Sequence, residues 1–165
     1  MSANTPDRQG MQIWEAYLHS HTGIMRVLER ELQNAHALSL AEYDVLLHLR
    51  RATERRLRMG ELASAVLFST GGLSRLLDRL ERTGLVVRER TPDDRRGVYA
   101  VLTEAGLARL REASETHLHG IQEHFVAALH DEEREPVARF LSRLVAVYND
   151  THEAESVTTD LSSSL

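Results

Sequence analysis

The spacing of apolar residues changes abruptly at Gly84, and this change constrains the fold more than any other feature of the sequence. Before it, leucines share one face of a helix predicted at about 70–82, namely Leu73, Leu76, Leu77 and Leu80. After it, two short β-branched segments at 85–90 and 97–102 flank a polar stretch at 91–96, a pattern that predicts a hairpin with a charged turn. Glycine suits the left-handed residue that ends a helix. The sequence therefore predicts a helix followed directly by a hairpin.

Helical spacing also extends over most of the chain before this point. A first helix is predicted at about 8–35, with eight residues on one face: Trp14, Tyr17, Leu18, His21, Ile24, Met25, Leu28 and Leu32. The run Ser39-Leu40-Ala41-Glu42 has the pattern of a capping box, in which the serine and glutamate side chains satisfy backbone amides at a helix start, so a second helix is predicted at about 40–52. A polar linker at 51–58 then leads to a short helix at about 59–66.

After the hairpin the helical pattern resumes at Thr103 and continues to Leu129. The acidic residues of 131–133 interrupt it, and such residues are typical of the first turn of a helix because they face the positive end of its dipole. A last helix is therefore predicted to follow and to end near residue 150. Residues 151–165 are predicted to form a disordered tail. The predicted fold class is mainly α with a small β-hairpin.

The charge of the 165-residue chain is unevenly distributed around a formal net value of −5. Residues 50–100 hold 12 arginines and 7 acidic residues, a balance of +5, which leaves −10 for the remainder. A basic segment of this kind favours a nucleic-acid partner. All 20 basic residues are arginine, which we attribute to codon bias rather than to function.

Several classes of protein are excluded by residues that the chain lacks. It has no cysteine, which excludes disulfide scaffolds, thiol-based sensing and cysteine-ligated metals. No apolar run approaches the ~20 residues that cross a bilayer, and no signal segment opens the sequence, so we expect a cytoplasmic protein without a membrane partner. Sequence motifs of hydrolases, nucleotide-binding enzymes and zinc proteases are absent. We therefore expect neither an enzyme nor a cofactor.

The nine histidines do not predict a metal site within one chain. Two pairs, His19 with His21 and His117 with His119, are spaced so that they point apart on a helix, and His124 lies two turns from His117. These residues would have to combine across two chains to bind a metal.

The order short helix, turn, helix and hairpin is that of a winged helix-turn-helix, which places its second helix in the major groove of DNA. The start of this helix offers small residues and backbone amides to a phosphate, at Ser69, Thr70, Gly71 and Gly72. A frayed first turn is an equal explanation for the two glycines. Ser74 and Arg75 lie opposite the leucines, and the fork of Arg75 can reach two acceptors of a guanine. A phosphate contact or a bond to Asp78 is an equal alternative for Arg75.

The tip of the predicted hairpin carries Arg95 and Arg96, which suit insertion into a narrow minor groove where negative potential is concentrated. Asp93 and Asp94 stand beside them. We expect one of these carboxylates to hold an arginine in place through a charge-assisted hydrogen bond. The hairpin would then contact the minor groove while the helix occupies the major groove.

Two segments resemble the MarR family of bacterial transcriptional regulators. The first is 68–86, with Ser-Arg-Leu-Leu-Asp-Arg-Leu followed by Thr-Gly-Leu-Val, and the second is 93–106, where Asp-Asp-Arg-Arg-Gly is followed by Leu-Thr-Glu-Ala-Gly. The resemblance extends in helix order over about 10–150. It implies a triangular homodimer that binds double-stranded DNA at a pseudo-palindromic operator, most often as a repressor.

The resemblance also assigns roles to single residues. The wing motif Asp-x-Arg of the family falls on Asp94 and Arg96, which implies that Asp94 orients Arg96 for the minor groove. The recognition-helix pattern falls on Ser69, Thr70, Ser74 and Arg75. Members commonly have Ser or Thr where this chain has Gly71 and Gly72, so two side-chain contacts are missing there. The first-helix cysteine of peroxide-sensing members is missing as well.

The helices outside the predicted winged domain have more apolar surface than a domain of about 65 residues can cover. A symmetric dimer would bury these faces and place two recognition helices about one DNA turn, ~34 Å, apart. We therefore expect a dimerisation helix at 1–38, a DNA-binding domain at 39–102 and further dimerisation helices at 103–150. The alternative function is a winged-helix interaction module without specific DNA binding, which the acidic net charge would permit.

Members of the family are often released from DNA by a small aromatic or phenolic anion. Aromatic and basic residues suited to such an effector lie on the first two helices: Trp14, Tyr17, His21, Tyr43, His48 and Arg51. We hypothesise that an aromatic acid stacks on Trp14 or Tyr17 and that His48 or Arg51 meets its carboxylate. Packing in the core or in a dimer interface is the alternative role for each of these residues.

Overall fold

A computed structural model describes residues 5–66, 70–91 and 94–162, with side chains described over these ranges except at 70–71, 91, 94–96 and 148–162. The chain divides into two compact units, Met1–His124 and Phe125–Leu165. The first unit contains, in chain order, α1 (Arg8–His36), α2 (Leu40–Arg51), β1 (Arg56–Arg58), α3 (Met59–Ala65), α4 (Thr70–Arg82), β2 (Val86–Thr91), β3 (Asp94–Leu102) and α5 (Glu104–His124). The second contains α6 (Asp131–Ser162). The mainly helical fold with a small antiparallel sheet confirms the predicted fold class.

The core of the first unit draws on all of its helices and on its sheet. Its largest fully buried side chains are Leu32, Leu38, Val45, Leu46, Leu49, Leu62, Leu73, Leu77, Leu80, Val86 and Leu110. Burial of apolar surface of this kind contributes about 25 cal/mol per Å². The predicted apolar face of α4 is confirmed, with Leu76 half-buried beside the three buried leucines of that helix.

The capping box between α1 and α2 is also confirmed. The backbone N–H of Glu42 donates to Ser39 Oγ at 3.2 Å, and the backbone N–H of Ser39 donates to Glu42 Oε2 at 2.8 Å. Both amides lie at a helix start, where they have no partner within the helix. The box therefore fixes where α2 begins, one residue after Ser39.

The linker predicted at 51–58 is wrong in its last three residues, which form the strand β1. Arg56 pairs with Val101, and Arg58 pairs with Tyr99, so β1 lies at the edge of a sheet of order β1-β3-β2. Leu57 packs against the core. A single apolar residue between two arginines is too short a pattern to indicate a strand, because alternation needs about four residues to be recognised.

The hairpin strands are longer than predicted, and the predicted polar turn at 91–96 is wrong at 91 and 94–96. These residues belong to β2 and β3, and Thr91 is paired with Asp94. Ladder hydrogen bonds join backbone groups, so polar and charged residues can also continue a strand. Residues 92–93 lie outside the described residues.

The junction between α4 and the sheet explains two short motifs of the sequence. Gly84 has φ +72°, the left-handed conformation predicted for the residue that ends α4. Thr103 Oγ lies 2.7 Å from the carbonyl oxygen of Gly84 and accepts from the backbone N–H of Gly106 at 2.9 Å, so Thr103 caps α5. A Cβ at Gly106 would clash with the carbonyl oxygen of Leu85. The Leu-Thr-Glu-Ala-Gly motif therefore brings the start of α5 against the end of α4.

The C-terminal helices differ from the predicted ones at their ends. Helix α5 ends at His124 rather than near Leu129, and a short 3₁₀ turn follows at Val126–Ala128. Apolar spacing continues through this break, so the sequence does not mark it. Helix α6 begins at the predicted acidic residues but extends to Ser162, where a disordered tail was predicted from residue 151. Neither Gly nor Pro occurs between 137 and 162 to end it. No helix in the described parts of the chain is long and apolar enough to cross a membrane.

Candidate nucleic-acid interface

Helix α4 presents two opposite faces. Leu73, Leu77 and Leu80 are at most 1% exposed and hold one face in the core. The other face carries exposed polar residues, as predicted from the sequence: Ser74, Arg75, Asp78 and Arg82. An α-helix with this arrangement fits the major groove of B-DNA, which is wide enough to admit one helix. The geometry of α4 is therefore that of a recognition helix.

Arg75 is the exposed basic residue nearest the start of this face. It forms no ion pair or hydrogen bond with any residue in the described ranges, and its predicted alternative partner, Asp78, pairs with Arg88 instead at 2.8 Å. A bond between Arg75 and Asp78 is therefore not present. The guanidinium of Arg75 is available to a phosphate or a base edge.

An ion pair that the sequence did not predict ties α4 to α2. Nε of Arg79 lies 2.8 Å from Oε1 of Glu42, whose side chain is only 3% exposed. The other oxygen, Oε2, accepts from the amide and the hydroxyl of Ser39, the hydroxyl at 2.9 Å. The capping box identified Glu42 from sequence but accounts for only one of its oxygens. The second oxygen was the signal that a further partner was needed.

Arg88 on β2 forms a second connection to α4. Its Nη1 pairs with Asp78 and also with Glu81, and its Nη2 donates to the carbonyl oxygen of Ser74 at 2.9 Å. The backbone N–H of Arg88 donates to Glu81 Oε1 at 2.9 Å. Sequence reasoning missed this residue, because no motif at the strand indicates that it faces the helix.

The edge strand β1, which pairs with β3 of the wing, carries further basic residues. The guanidinium carbons of Arg56 and Arg58 lie 5.4 and 5.5 Å from the centre of the Tyr99 ring, and Nε of Arg58 donates to the Tyr99 hydroxyl at 2.9 Å. Cations at this distance are attracted to the ring face. The basic segment identified from composition is therefore partly gathered on the edge strand β1, which the sequence did not predict.

Several residues predicted to contact DNA fall where the structure gives little or no description. Ser69 lies outside the described residues. Thr70 and Gly71 form the start of α4, and Asp94, Arg95 and Arg96 belong to β3, but their side chains are not among those described. Gly72 is half-buried in the first turn of α4. The predicted contacts of these seven residues remain predictions.

The residues predicted to bind an effector separate into two groups. Trp14, Tyr17 and His21 form a row along α1, with ring centres 5.9 and 6.0 Å apart. The second group lies on α2, where His48 Nε2 is 3.7 Å from Asp44 Oδ1 and Arg51 is exposed. No ring contact or hydrogen bond joins the two groups within the described parts of the chain.

Tyr43, the third predicted residue on α2, is buried between α2 and α5. Its hydroxyl lies 3.2 Å from Ser114 Oγ, and its ring centre is 4.5 Å from that of His117. Nδ1 of His117 is buried without a hydrogen-bond partner among the described residues. Burial lowers the pKa of His117 below its ordinary value, although the nearby carboxylates of Asp44 and Glu31 partly oppose this shift. His117 therefore favours its neutral form in the folded protein.

Helix α4 has one buried face and one polar outer face, and Arg88 fixes the hairpin that follows to this helix. This arrangement defines a winged helix-turn-helix protein. Residues 37–97 match the model of the MarR family. The chain is 32% identical over 135 residues to an uncharacterised HTH-type transcriptional regulator of Bacillus cereus, which covers 82% of this chain and 88% of the relative.

Two solved structures from Streptomyces coelicolor agree with this. AbsC, a MarR family transcriptional regulator, matches with a TM-score of 0.81 and 29% identity over 90% of this chain and 99% of AbsC. Sco3205, another MarR family regulator, was solved in complex with DNA and matches with a TM-score of 0.81 and 30% identity over 88% of this chain and 90% of Sco3205. The chain belongs to the MarR family and is a DNA-binding transcriptional regulator. Its relatives are regulators rather than enzymes.

Proposed function

We propose that the protein is a homodimeric repressor that binds a pseudo-palindromic operator through α4 and the wing. The observation that carries this proposal is the outer face of α4, whose opposite face is buried. Ser74 and Arg75 are exposed there, and Arg75 has no partner among the described residues. A helix that is fixed in this way can present side chains to base edges with little loss of conformational freedom on binding. Repression would follow because a dimer on a promoter excludes polymerase.

Each element contributes a different kind of contact to this proposal. Arg75 reads a guanine, or binds a phosphate, in the major groove. Arg96 enters the minor groove, Asp94 orients it, and Arg95 lies beside it. Ser69 and the first turn of α4, from Thr70 to Gly72, bind a phosphate through backbone amides and hydroxyl groups. Phosphate contacts fix the register on the duplex, whereas base contacts give sequence preference.

The proposed dimer rests on apolar side chains that are exposed on two helices. On α1 these are Met11, Ile13, Leu18 and Met25, and on α6 they are Phe140, Leu144, Val145 and Val147. Soluble monomers rarely expose so many large apolar residues on neighbouring turns. A second copy of the chain would remove them from water, and its two-fold symmetry would match a palindromic site.

An aromatic acid is the proposed effector, and the row of Trp14, Tyr17 and His21 is its proposed stacking surface. The three rings are exposed and spaced so that a flat ligand can lie along them. His48 or Arg51 would meet its carboxylate in the assembled dimer. Tyr43 is omitted from this site because its ring is buried against His117 and its hydroxyl has a partner.

Selection of duplexes from a random DNA pool by the purified full-length protein tests this function. The proposal predicts an inverted repeat whose half-sites are about one helical turn apart and which binds two chains. Placing the selected site over a promoter should reduce transcription in a purified system. Recovery of sequences without a repeat, or binding of one chain per site, would contradict the proposal.

The dimer and the effector have separate tests. Leu18→Glu places a charge among the exposed apolar residues of α1 and should shift sedimentation of the protein from dimer toward monomer, whereas Glu15→Gln on the same helix should not. Salicylate-like acids titrated into the protein–DNA complex should release DNA from the wild type and less readily from Trp14→Ala. Release by none of them would contradict the effector assignment.

A further inference from the structure

We infer that Arg88 is a positioning residue for DNA recognition, which holds the wing strand against the recognition helix so that both elements meet their grooves together. This inference rests on the proposed engagement of two grooves by α4 and the wing. It concerns a side chain on β2 that would not itself touch a base.

The partners of Arg88 form a line along α4. Ser74, Asp78 and Glu81 are separated by four and three residues, a spacing that places them on one side of a helix. A single guanidinium binds all three, through the carbonyl oxygen of Ser74 at 2.9 Å, Oδ1 of Asp78 at 2.8 Å and the carboxylate of Glu81. The contact therefore spans two turns of the recognition helix rather than one point on it.

The geometry of arginine is required for this arrangement. The guanidinium has five donors in a planar fork, whereas a lysine ammonium is a single point charge. The side chain of Arg88 is only 24% exposed, so its ion pairs are less screened by solvent than those at an open surface. Its own backbone N–H donates to Glu81, which fixes β2 as well as the side chain.

The contact between Arg88 and Ser74 lies beside the residues of α4 that are proposed to meet DNA. The carbonyl oxygen that accepts from Arg88 belongs to Ser74, and the next residue is Arg75, so Arg88 fixes the turn that carries both proposed major-groove contacts. Two residues further along β2, Arg90 pairs with Val98 in the hairpin that leads to Arg95 and Arg96. Arg88 therefore lies between the two groups of residues that are proposed to contact DNA.

Arg88 also neutralises a carboxylate on the face of α4 that is proposed to meet DNA. Asp78 is on the outer face of α4 with a side chain that is 60% exposed, where a free carboxylate would repel phosphates. The ion pair with Arg88 compensates this negative charge and also holds the Arg88 side chain against α4. Asp78 therefore acts both as a negative charge near DNA and as a partner that holds Arg88. If only its charge matters, removing Asp78 should tighten DNA binding. If its contact with Arg88 matters, removing it should weaken binding to the specific site.

The test compares the affinities of the wild type and three full-length variants for the selected duplex and for a scrambled duplex. Arg88→Lys and Asp78→Ala should each bind the selected duplex about tenfold more weakly, the effect of losing one or two charge-assisted hydrogen bonds. Affinity for the scrambled duplex should change by less than about twofold, since non-specific binding depends mainly on phosphates. The matched control Arg111→Lys, an exposed arginine of α5, should leave both affinities unchanged.

Three results would overturn the inference. Equal losses on both duplexes for Arg88→Lys would show that Arg88 binds phosphate directly. Tighter binding of Asp78→Ala to both duplexes would show that Asp78 acts only through its charge, and unchanged binding by both variants would show that the contact is irrelevant to recognition. If the wild type itself does not prefer the selected duplex, the proposed function fails, which is a distinct outcome from failure of Arg88 alone.

Discussion

Glu42 of α2 and Arg79 of the recognition helix form an ion pair, with Oε1 and Nε 2.8 Å apart and the glutamate almost fully buried. The same carboxylate holds the amide and hydroxyl of Ser39 at the start of α2. A single side chain thus fixes both where α2 begins and where α4 lies against it. Buried carboxylates that satisfy several donors are costly to lose, because the donors are left unpaired.

Glu42→Gln tests this connection. Glutamine keeps the size of the side chain but removes the charge that binds Arg79, so the free energy of unfolding in urea should fall by about 1–3 kcal/mol. Glu61→Gln is the matched control. Glu61 occupies the same position in α3, where it accepts from the exposed amide of Arg58 at 3.0 Å, and its substitution should cost much less. Equal losses for the two variants would mean that the ion pair with Arg79 adds no stability.

Gly106→Ala tests the close packing between α5 and the end of α4. The added Cβ would clash with the carbonyl oxygen of Leu85 and lie 2.8 Å from Leu102 Cδ1, so the backbone has to move. We expect a loss of about 2 kcal/mol or more in the free energy of unfolding, as for other overpacked sites. Gly60→Ala, at a helical position where a Cβ meets nothing within 4 Å, should be neutral or slightly stabilising. A harmless Gly106→Ala would contradict this packing.

His117 should make the stability of the protein depend on pH. Its pKa is lowered by burial in the folded state, so between that value and the ordinary 6.5 the unfolded chain binds more protons than the folded one. The free energy of unfolding contributed by this residue is therefore fully present above pH 6.5 and decreases as the pH falls through the folded pKa. Urea unfolding at pH 7.5 and 5.5 measures the difference.

The variant for this measurement is His117→Phe, which keeps a ring beside Tyr43 but cannot bind a proton. Its stability should fall less between pH 7.5 and 5.5 than that of the wild type. His119→Gln, at a neighbouring exposed position, should retain the pH dependence of the wild type. If His117→Phe and the wild type show the same dependence, burial of this imidazole does not govern the acid response.

Arg75→Ala distinguishes the two proposed roles of this residue. If Arg75 reads a guanine, the variant should lose about 1–3 kcal/mol of binding free energy on the selected duplex and tolerate any base at one position of each half-site. If it binds a phosphate, affinity should fall by a similar factor on all duplexes. Binding to a panel of singly substituted duplexes makes the distinction. An unchanged affinity throughout would remove Arg75 from the interface.

The sequence predicted those parts of the fold that depend on local patterns. Leucine spacing located α4, Ser39 and Glu42 located the start of α2, and Gly84 located the end of the recognition helix. These signals work because each of them concerns residues within one or two helical turns. The strand β1 escaped prediction because its pairing partner, Tyr99–Val101, is about 40 residues away and its own three residues are too few for alternation to be recognised.

The connections within the interface escaped prediction for the same reason. Arg79 and Glu42 are 37 residues apart, and Arg88 meets α4 only because the chain reverses at Gly84. Each of these residues is an ordinary charged residue in sequence, where a solvated surface position is the usual expectation. Their roles follow from tertiary packing, which brings a buried carboxylate and a guanidinium into reach of the recognition helix.

The salt dependence of binding to the selected duplex is the measurement that tests the central claim most directly. Two copies of α4 and the wing that grip phosphates should release counterions, so log K should fall linearly with log salt concentration, with a slope steeper than about −3. Arg96→Ala should weaken binding by more than about tenfold and give a shallower slope without changing the thermal midpoint of unfolding. Affinity that does not change with salt would contradict the assignment of this basic surface to DNA.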